Sequence, residues 1–510
     1  MNQAPEVQPR DEYNETLVAN VHPADWQNPA PAPVYHLVVV GAGTAGLVTA
    51  AGAAGLGARV ALVERHLLGG DCLNYGCVPS KAIIRSSRAA AAVMEAHRFG
   101  LKVPQALEVD FGQVMARMRR LRAQISAHDA ARRVQELGVD VFLGEARFTG
   151  PRTLAVGEVT LHFQKAVIAT GARPVDPPVP GMAAAGYLTN ETVFSLTERP
   201  ARLLVMGGGP LGCEFAQAFK RLGCQVTLLH KHGRLMNRED PEAAAILQRV
   251  FEQEGLRLIL SAKPLRVEQT GTGKKVHYES DGQPGEIEVD EILAGAGRAP
   301  NVENLGLEAA GVRFDPRAGV LVNDKLQTSN RRIYAAGDVC LAHKFTHLAD
   351  ATARIVIQNA LFWGRRKLSA LTIPWCTYTD PEVAHVGLNE EEAARQGIPL
   401  DTFVRPLKEV DRAVVDGEEE GLVKIHVRQG MDRILGATIV ARHAGEMISE
   451  VTAAMVGKVG LGALASVIHP YPTQAEAIRQ TGDLYNRTKL TPGVKRMFTR
   501  FLAWRRLGKK

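Results

Sequence analysis

His36-Leu37-Val38-Val39-Val40-Gly41-Ala42-Gly43-Thr44-Ala45-Gly46 is the stretch on which the fold turns. A short apolar run of this kind forms a buried parallel strand, and here it passes straight into a glycine turn and an alanine-rich helical segment. A second apolar run, Arg59-Val60-Ala61-Leu62-Val63, ends at Glu64, eighteen positions beyond Gly46. Strand, glycine turn, helix, strand and acid each have a job in holding a dinucleotide. The glycines allow a tight turn and close backbone approach, the helix N-terminus faces pyrophosphate, and the acid accepts the ribose hydroxyls.

The unit repeats. Arg202-Leu203-Leu204-Val205-Met206 leads into Gly207-Gly208-Gly209-Pro210-Leu211-Gly212, a helix through Leu222 and a strand Gln225–Leu229. Two dinucleotide sites in one chain imply one bound flavin and one visiting nicotinamide. Where the first copy ends in Glu64, the second reads His230-Lys231-His232, followed by Arg234 and Arg238. A missing acid with cations nearby suits a 2′-phosphate and favours NADPH over NADH, the alternative being a basic surface loop. Two strand-then-glycine segments echo each other, Ala166–Pro174 and Ile292–Asn301, and mark where the chain crosses between domains. Ile333-Tyr334-Ala335-Ala336-Gly337-Asp338 ends in an acid suited to a cofactor hydroxyl. From about Leu368 to Asn486 alternating strands and helices replace this pattern, as in a separate α+β domain.

Between the two units lies Gly69-Gly70-Asp71-Cys72-Leu73-Asn74-Tyr75-Gly76-Cys77-Val78-Pro79-Ser80-Lys81. Two cysteines five positions apart read as a redox-active disulfide, and spacing alone leaves two buried thiols or half a metal site equally open. The surrounding dinucleotide units favour the redox reading. The chain has six cysteines in 510 residues, too few for a secreted disulfide framework, which points to a reducing compartment with the cytoplasm as default. No stretch reads as a secretory leader or membrane span. The net charge of +7 gathers in the tail, with Lys495, Arg496, Arg500, Arg505, Arg506, Lys509 and Lys510, which leaves a nucleic-acid role without support.

With these motifs in order, and with His469-Pro470-Tyr471-Pro472-Thr473-Gln474-Ala475-Glu476 near the end, residues 35–490 resemble the flavin-dependent pyridine nucleotide-disulfide oxidoreductases. Dihydrolipoamide dehydrogenase, glutathione reductase and mercuric reductase belong to that family. The resemblance implies an α/β fold with two Rossmann-like domains and a C-terminal α+β dimerisation domain. The expected layout is an extended or partly disordered arm over 1–33, an FAD domain over 34–174 and 295–366, a NAD(P)H domain over 175–294, an interface domain over 367–490 and a basic tail over 491–510. It also implies a homodimer with a shared active site.

Carried onto matching positions, Cys77 faces the flavin, Cys72 meets the substrate, Lys81 pairs with Glu214, and Tyr471 and Glu476 complete the catalytic set. The implied flavin contacts are Gly41, Gly43, Thr44, Ala45, Gly46, Glu64, Gly70, Asp71, Lys81, Ala146, Thr170, Gly171, Arg298, Gly337 and Asp338. The implied NADPH contacts are Gly207, Gly209, Pro210, Leu211, Glu214, His230, Lys231, Arg238 and Gly297.

Two departures bear on the acceptor. In the family's disulfide reductases a histidine stands five positions before the glutamate, where this chain has Tyr471. A phenol titrates near 10 against about 6.5 for imidazole, a gap worth about 5 kcal/mol, so Tyr471 is a poor proton shuttle. His469 is two positions earlier, and a structural or capping histidine is the first reading of it. Tyrosine here is similar to mercuric reductase, whose thiophilic metal substrate needs ligands more than an acid. The paired C-terminal cysteines of that enzyme have no counterpart, since none follows Cys376. The expected acceptor is a thiophilic metal ion or a disulfide; quinones or oxygen at the flavin, and a membrane-surface redox sensor, are the alternatives. In the tail Val494, Met497, Phe498, Phe501 and Leu502 recur at helical spacing with cations between, as in a helix lying on an anionic membrane, on an acidic partner or on its own dimer.

Overall fold

The structure, a computed structural model, describes residues 5–102, 107–295 and 297–507. They gather into two compact units. One runs through Gly207 and takes in Phe215–Lys231 and Leu256–Leu371; the other comprises Gly208–Glu214, His232–Gly255 and the chain from Thr372.

The first unit is built on strands β1 (Tyr35–Val40), β2 (Val60–Glu64) and β3 (Val139–Leu143). These lie parallel in the order β3-β2-β1 and continue onto the strand Val159–Ile168, which the strand Ile333–Ala335 joins in parallel. Nearly every residue of β1 and β2 is buried, as unbroken apolar runs require when both faces of a sheet are covered. Helix α2 (Thr44–Gly55) follows the first glycine turn, and its small residues let neighbours close in. A Cβ on Gly52 would sit 2.8 Å from Ile357 Cδ1 on the helix Thr346–Leu361.

The second sequence repeat forms a smaller parallel sheet of strands Arg257–Ile259, Gln225–Leu229, Arg202–Met206 and Glu291–Ala294 in that order. The two echoing segments meet as an antiparallel pair, Ala172–Pro174 against Arg298–Pro300.

The expectation of an extended or disordered arm does not hold for its central part. Glu12–Val21 is helix α1, capped by the Asp11 carboxylate on the Asn14 N–H (2.8 Å), with Leu17 and Val21 buried. The residues after it are pinned by side chains: Trp26 Nε1 donates to Val141 O, and Asn28 bonds both the O and the N–H of Leu143. The helix escapes a periodicity search because it docks through polar groups. Asp11 pairs with Arg119, and Asn14 with Arg122, both on helix α5 (Phe111–Ser126).

The other unit contains a five-stranded antiparallel sheet, in the order Pro374–Thr377, Glu382–Gly387, Ile434–Ala441, Leu422–Arg428, Leu400–Pro406. Val423, Ile425, Ala437 and Ile439 of the sheet share one core with Ile448 and Val451 of the helix Ala444–Val456 and Ile478 of the helix Glu476–Thr488.

Candidate active site

The first glycine turn is crowded in a way only glycine permits. Gly41 has φ +100°, and a Cβ there would lie 2.4 Å from Ala169 O; a Cβ on Gly46 would lie 1.7 Å from Gly41 O. Gly70, with φ +58°, brings the cysteine loop against the same turn, its Cβ position 2.6 Å from Gly43 Cα. Gly337, φ +74°, closes on Ala45 from another side. Thus Gly41, Gly43, Ala45, Gly46, Gly70 and Gly337, scattered in sequence, line one cradle. Thr170 and Gly171 follow Ala169 on its wall, held by Asn301 through Thr170 Oγ1 to Asn301 O (2.7 Å) and the Asn301 N–H to Gly171 O. Gly43 caps α2 without a side-chain bond, so among the described residues no N-cap side chain takes up the first N–H groups of the helix.

Glu64 is oriented as an acceptor by the N–H groups of Ala42 (2.7 Å) and His66 (2.8 Å), while burial pushes its carboxyl up. Asp338 is half-buried and also pushed up by burial, with Arg298 and Lys344 opposing the shift. A cradle of bare backbone, an uncapped helix start and an oriented carboxylate fit an adenine dinucleotide. Ala146 opens the strand Ala146–Gly150, where its backbone pairs with Val156.

The cysteine loop folds as helix α3 (Gly70–Asn74) and helix α4 (Cys77–Met94). Cys77 is the first residue of α4, where aligned peptide dipoles favour negative charge. Lys81 is half-buried one turn further along the same face. Cys72 and Cys77 are hydrogen-bonding neighbours. The Cys72 thiol is pushed up first by its hydrogen bond with Cys77 and then by burial, and Thr346 opposes the shift. Thr346 Oγ1 also lies 3.3 Å from Cys77 Sγ. Thr346 opens a helix 269 positions away in sequence, and nothing in the sequence flags it.

The loop is held on two sides by other residues that motif reading misses. Asp71, next to Cys72, meets Arg298 Nη2 at 3.1 Å and Asn190 Nδ2 at 3.2 Å, and Asn190 also donates to Tyr75 O. From behind, Arg122 donates to Asn74 O between the two cysteines and to Asn14 Oδ1 of α1, both at 2.7 Å. Arg122 is 1% exposed. Burial lowers it to about 10, which leaves it charged at neutral pH.

In the second copy Gly207 has φ +122° and packs on Gly295, while Gly209 has open space around it. Pro210 and Leu211 begin the helix Pro210–Arg221. Glu214 is buried and accepts the Tyr378 N–H at 2.9 Å. Gly297, φ +106°, accepts from the Val175 N–H. The expected basic set divides. Lys231 and Arg238 are exposed, whereas His230 is buried with its N–H on Ile259 O, and Arg234 is paired with Glu391 at 3.0 Å.

Near the C-terminus, Tyr471 is 71% exposed and donates to Asp411 Oδ2 at 2.9 Å, which pushes its phenol above the ordinary value. Glu476 accepts from Arg479 at 2.6 Å. His469 Nε2 lies 3.0 Å from Glu450 Oε1, and its Nδ1 lies 3.1 Å from Val467 O.

The pyridine nucleotide-disulphide oxidoreductase pattern matches residues 35–356, and the dimerisation-domain pattern of the same family matches 373–481. The chain belongs to this family. A mercuric reductase of Staphylococcus aureus is 37% identical over 445 residues, 87% of this chain and 81% of that one. A dihydrolipoyl dehydrogenase of Thermus scotoductus is 35% identical over 462 residues, 89% and 98% of the two chains. Among solved structures, the Cu(II) complex of the HOCl-induced flavoprotein disulfide reductase RclA from Escherichia coli aligns with TM-score 0.78 and 28% identity, over 89% of this chain and all of that one. LpdA from Mycobacterium tuberculosis aligns with TM-score 0.80 and 27% identity, over 88% of this chain and 99% of that one. Pyridine nucleotide-disulphide oxidoreductases are flavoenzymes that use FAD and NAD(P)H, and the matched dimerisation domain supports a homodimer.

Proposed function

We propose that this flavoenzyme passes electrons from NADPH through FAD to the Cys72–Cys77 pair and on to a thiophilic metal ion or a disulfide. The observation that carries the reading is the dithiol itself. Cys77 stands at a helix start, Cys72 is hydrogen-bonded to it, and the same loop packs through Gly70 onto the glycine cradle.

Gly41, Gly43, Thr44, Ala45 and Gly46 hold the FAD diphosphate, with Glu64 and Asp338 on its hydroxyls. Gly207, Gly209, Pro210 and Leu211 hold the nicotinamide dinucleotide, with Lys231 and Arg238 on its 2′-phosphate. When bound, the flavin converts hydride chemistry to two-electron thiol chemistry. Cys77 faces the flavin, Cys72 faces the acceptor, and Lys81, one turn after Cys77, supplies a cation beside the redox centre. Tyr471 of the partner subunit and Glu476 of the partner subunit complete the site.

With a disulfide acceptor, Cys72 as thiolate attacks one sulfur and the departing thiolate must take a proton. Cys77 then attacks the mixed disulfide, regenerating the Cys72–Cys77 bond, and the released second thiolate takes a proton too. Tyr471, raised further by Asp411, serves those proton deliveries badly. A soft metal cation asks for thiolate ligands and no acid at this step, so it is the acceptor the residues favour.

Anaerobic NADPH should produce a long-wavelength thiolate-to-flavin absorption band that Cys77→Ser abolishes. In a side-by-side screen of Hg(II), Cu(II), small disulfides and quinones, Cys72→Ser should cost metal-ion turnover about 100-fold or more. Quinone turnover that survives Cys72→Ser, with no metal or disulfide turnover in the parent, would overturn the reading in favour of direct reduction at the flavin.

A further inference from the structure

The last sixteen described residues form the helix Pro492–Leu507, which the redox reading leaves without a role. Its apolar side chains recur at helical spacing: Met497, Phe498, Phe501, Leu502 and Trp504 fall on one face, joined by the half-buried Val494. All five are exposed, Leu502 at 61% and Trp504 at 68%, and Phe501 and Trp504 lie with ring centroids 6.1 Å apart. A soluble chain seldom leaves so continuous an apolar strip in water unless something covers it.

The charge on the rest of the helix identifies the cover. Lys495, Arg496, Arg500 and Arg506 occupy the opposite face, and Arg505 lies within the apolar arc, where its stem can lie along apolar surface while the guanidinium stays wet. No acid follows Asp483 anywhere in the sequence, and among the described residues none of these cations has an ion-pair partner. An apolar, aromatic-rich strip about 15 Å long from Val494 to Trp504, edged by unneutralised cations, matches the boundary between lipid tails and anionic headgroups. It cannot work by spanning, because no helix among the described residues is long and apolar enough to cross a membrane.

We propose that Pro492–Leu507 is an interfacial anchor that lays this enzyme on an anionic lipid bilayer. One such helix binds reversibly; two, one from each subunit of a homodimer, convert the second contact into an intramolecular one and strengthen the whole.

The test is co-sedimentation of the intact holoenzyme with vesicles of phosphatidylcholine alone or with one third phosphatidylglycerol. Binding to the anionic vesicles should be at least tenfold stronger and should fall at least tenfold when salt rises to 0.5 M. Phe501→Glu with Leu502→Glu should abolish it while leaving NADPH-dependent turnover unchanged. Reversing the cations, Lys495→Glu with Arg496→Glu, should weaken it with the apolar face intact. Three results would each overturn the proposal: no preference for anionic vesicles, binding that survives the Phe501/Leu502 variant, or a chain ending at residue 491 that dissociates to monomers while the full chain ignores vesicles. The last would assign the strip to a second copy of the chain.

Discussion

In the first glycine-turn unit the Gly41 N–H donates to Val63 O, and the next residue is Glu64; in the second the Gly207 N–H donates to Leu229 O, and the next residue is His230. One hydrogen bond in the same register thus places a carboxylate at the strand end of one copy and an imidazole at that of the other. Crowding separates them further. A Cβ would collide with backbone at the leading glycine of both turns, Gly41 (2.4 Å from Ala169 O) and Gly207 (2.7 Å from Gly295 O), but at the next glycine of the motif Gly43 has Gly70 Cα 3.7 Å from its Cβ position whereas Gly209 has nothing within 4 Å. A turn welded to the cysteine loop through Gly70 suits a cofactor that stays, and one with open space at Gly209 suits a cofactor that comes and goes.

The largest effect is expected at the welded turn. Gly46→Ala puts a methyl group 1.7 Å from Gly41 O and should yield protein with less than about a tenth of the normal flavin absorbance, because the backbone itself must shift. Flavin content near normal would break the contrast. An intermediate effect is expected where the strand ends differ. Lys231→Glu with Arg238→Glu should raise the KM for NADPH about 10- to 100-fold and leave NADH within about threefold, the size expected if both cations contact the 2′-phosphate as proposed. Equal losses with both nucleotides would remove Lys231 and Arg238 from the 2′-phosphate site. The smallest belongs to Gly209→Ala, which meets nothing within 4 Å and should move nicotinamide KM by no more than about threefold with flavin content unchanged. A large flavin loss there would show that the two turns are equally constrained.

Both turns were legible in the sequence because strand, glycine and helix are local patterns, and the parallel sheets follow from apolar runs of the right length. The likeness of Ala166–Pro174 to Ile292–Asn301 is also a local pattern, whereas the antiparallel pairing of Ala172–Pro174 with Arg298–Pro300 comes from the structure. Local pattern fails where polar groups act over long separations. Leu17 and Val21 give helix α1 only a thin apolar stripe, so its docking through Asp11 and Asn14 left no periodic trace. Thr346 and Asn190 are single polar residues brought to the cysteine loop by topology, with no neighbour in sequence to announce them. The basic set after Leu229 was visible as composition, but which members face solvent depended on strand pairing and on Glu391, more than 150 positions away.

Arg122 has a consequence for how the molecule is assembled. Its guanidinium joins Asn74, 48 positions off, to Asn14, 108 positions off, so the carbonyl between the two cysteines gains its full support only after the first helix has docked. Closures of that span are comparable to those of the sheet itself, where Leu37 pairs with Lys165, so the thiol pocket is completed with the tertiary fold and not by local structure. A chain whose first helix frays loses the Asn14 half of that support, while the strand pairings, which do not use it, remain. Ageing or mild denaturant should appear as misoxidised cysteine before it appears as lost secondary structure.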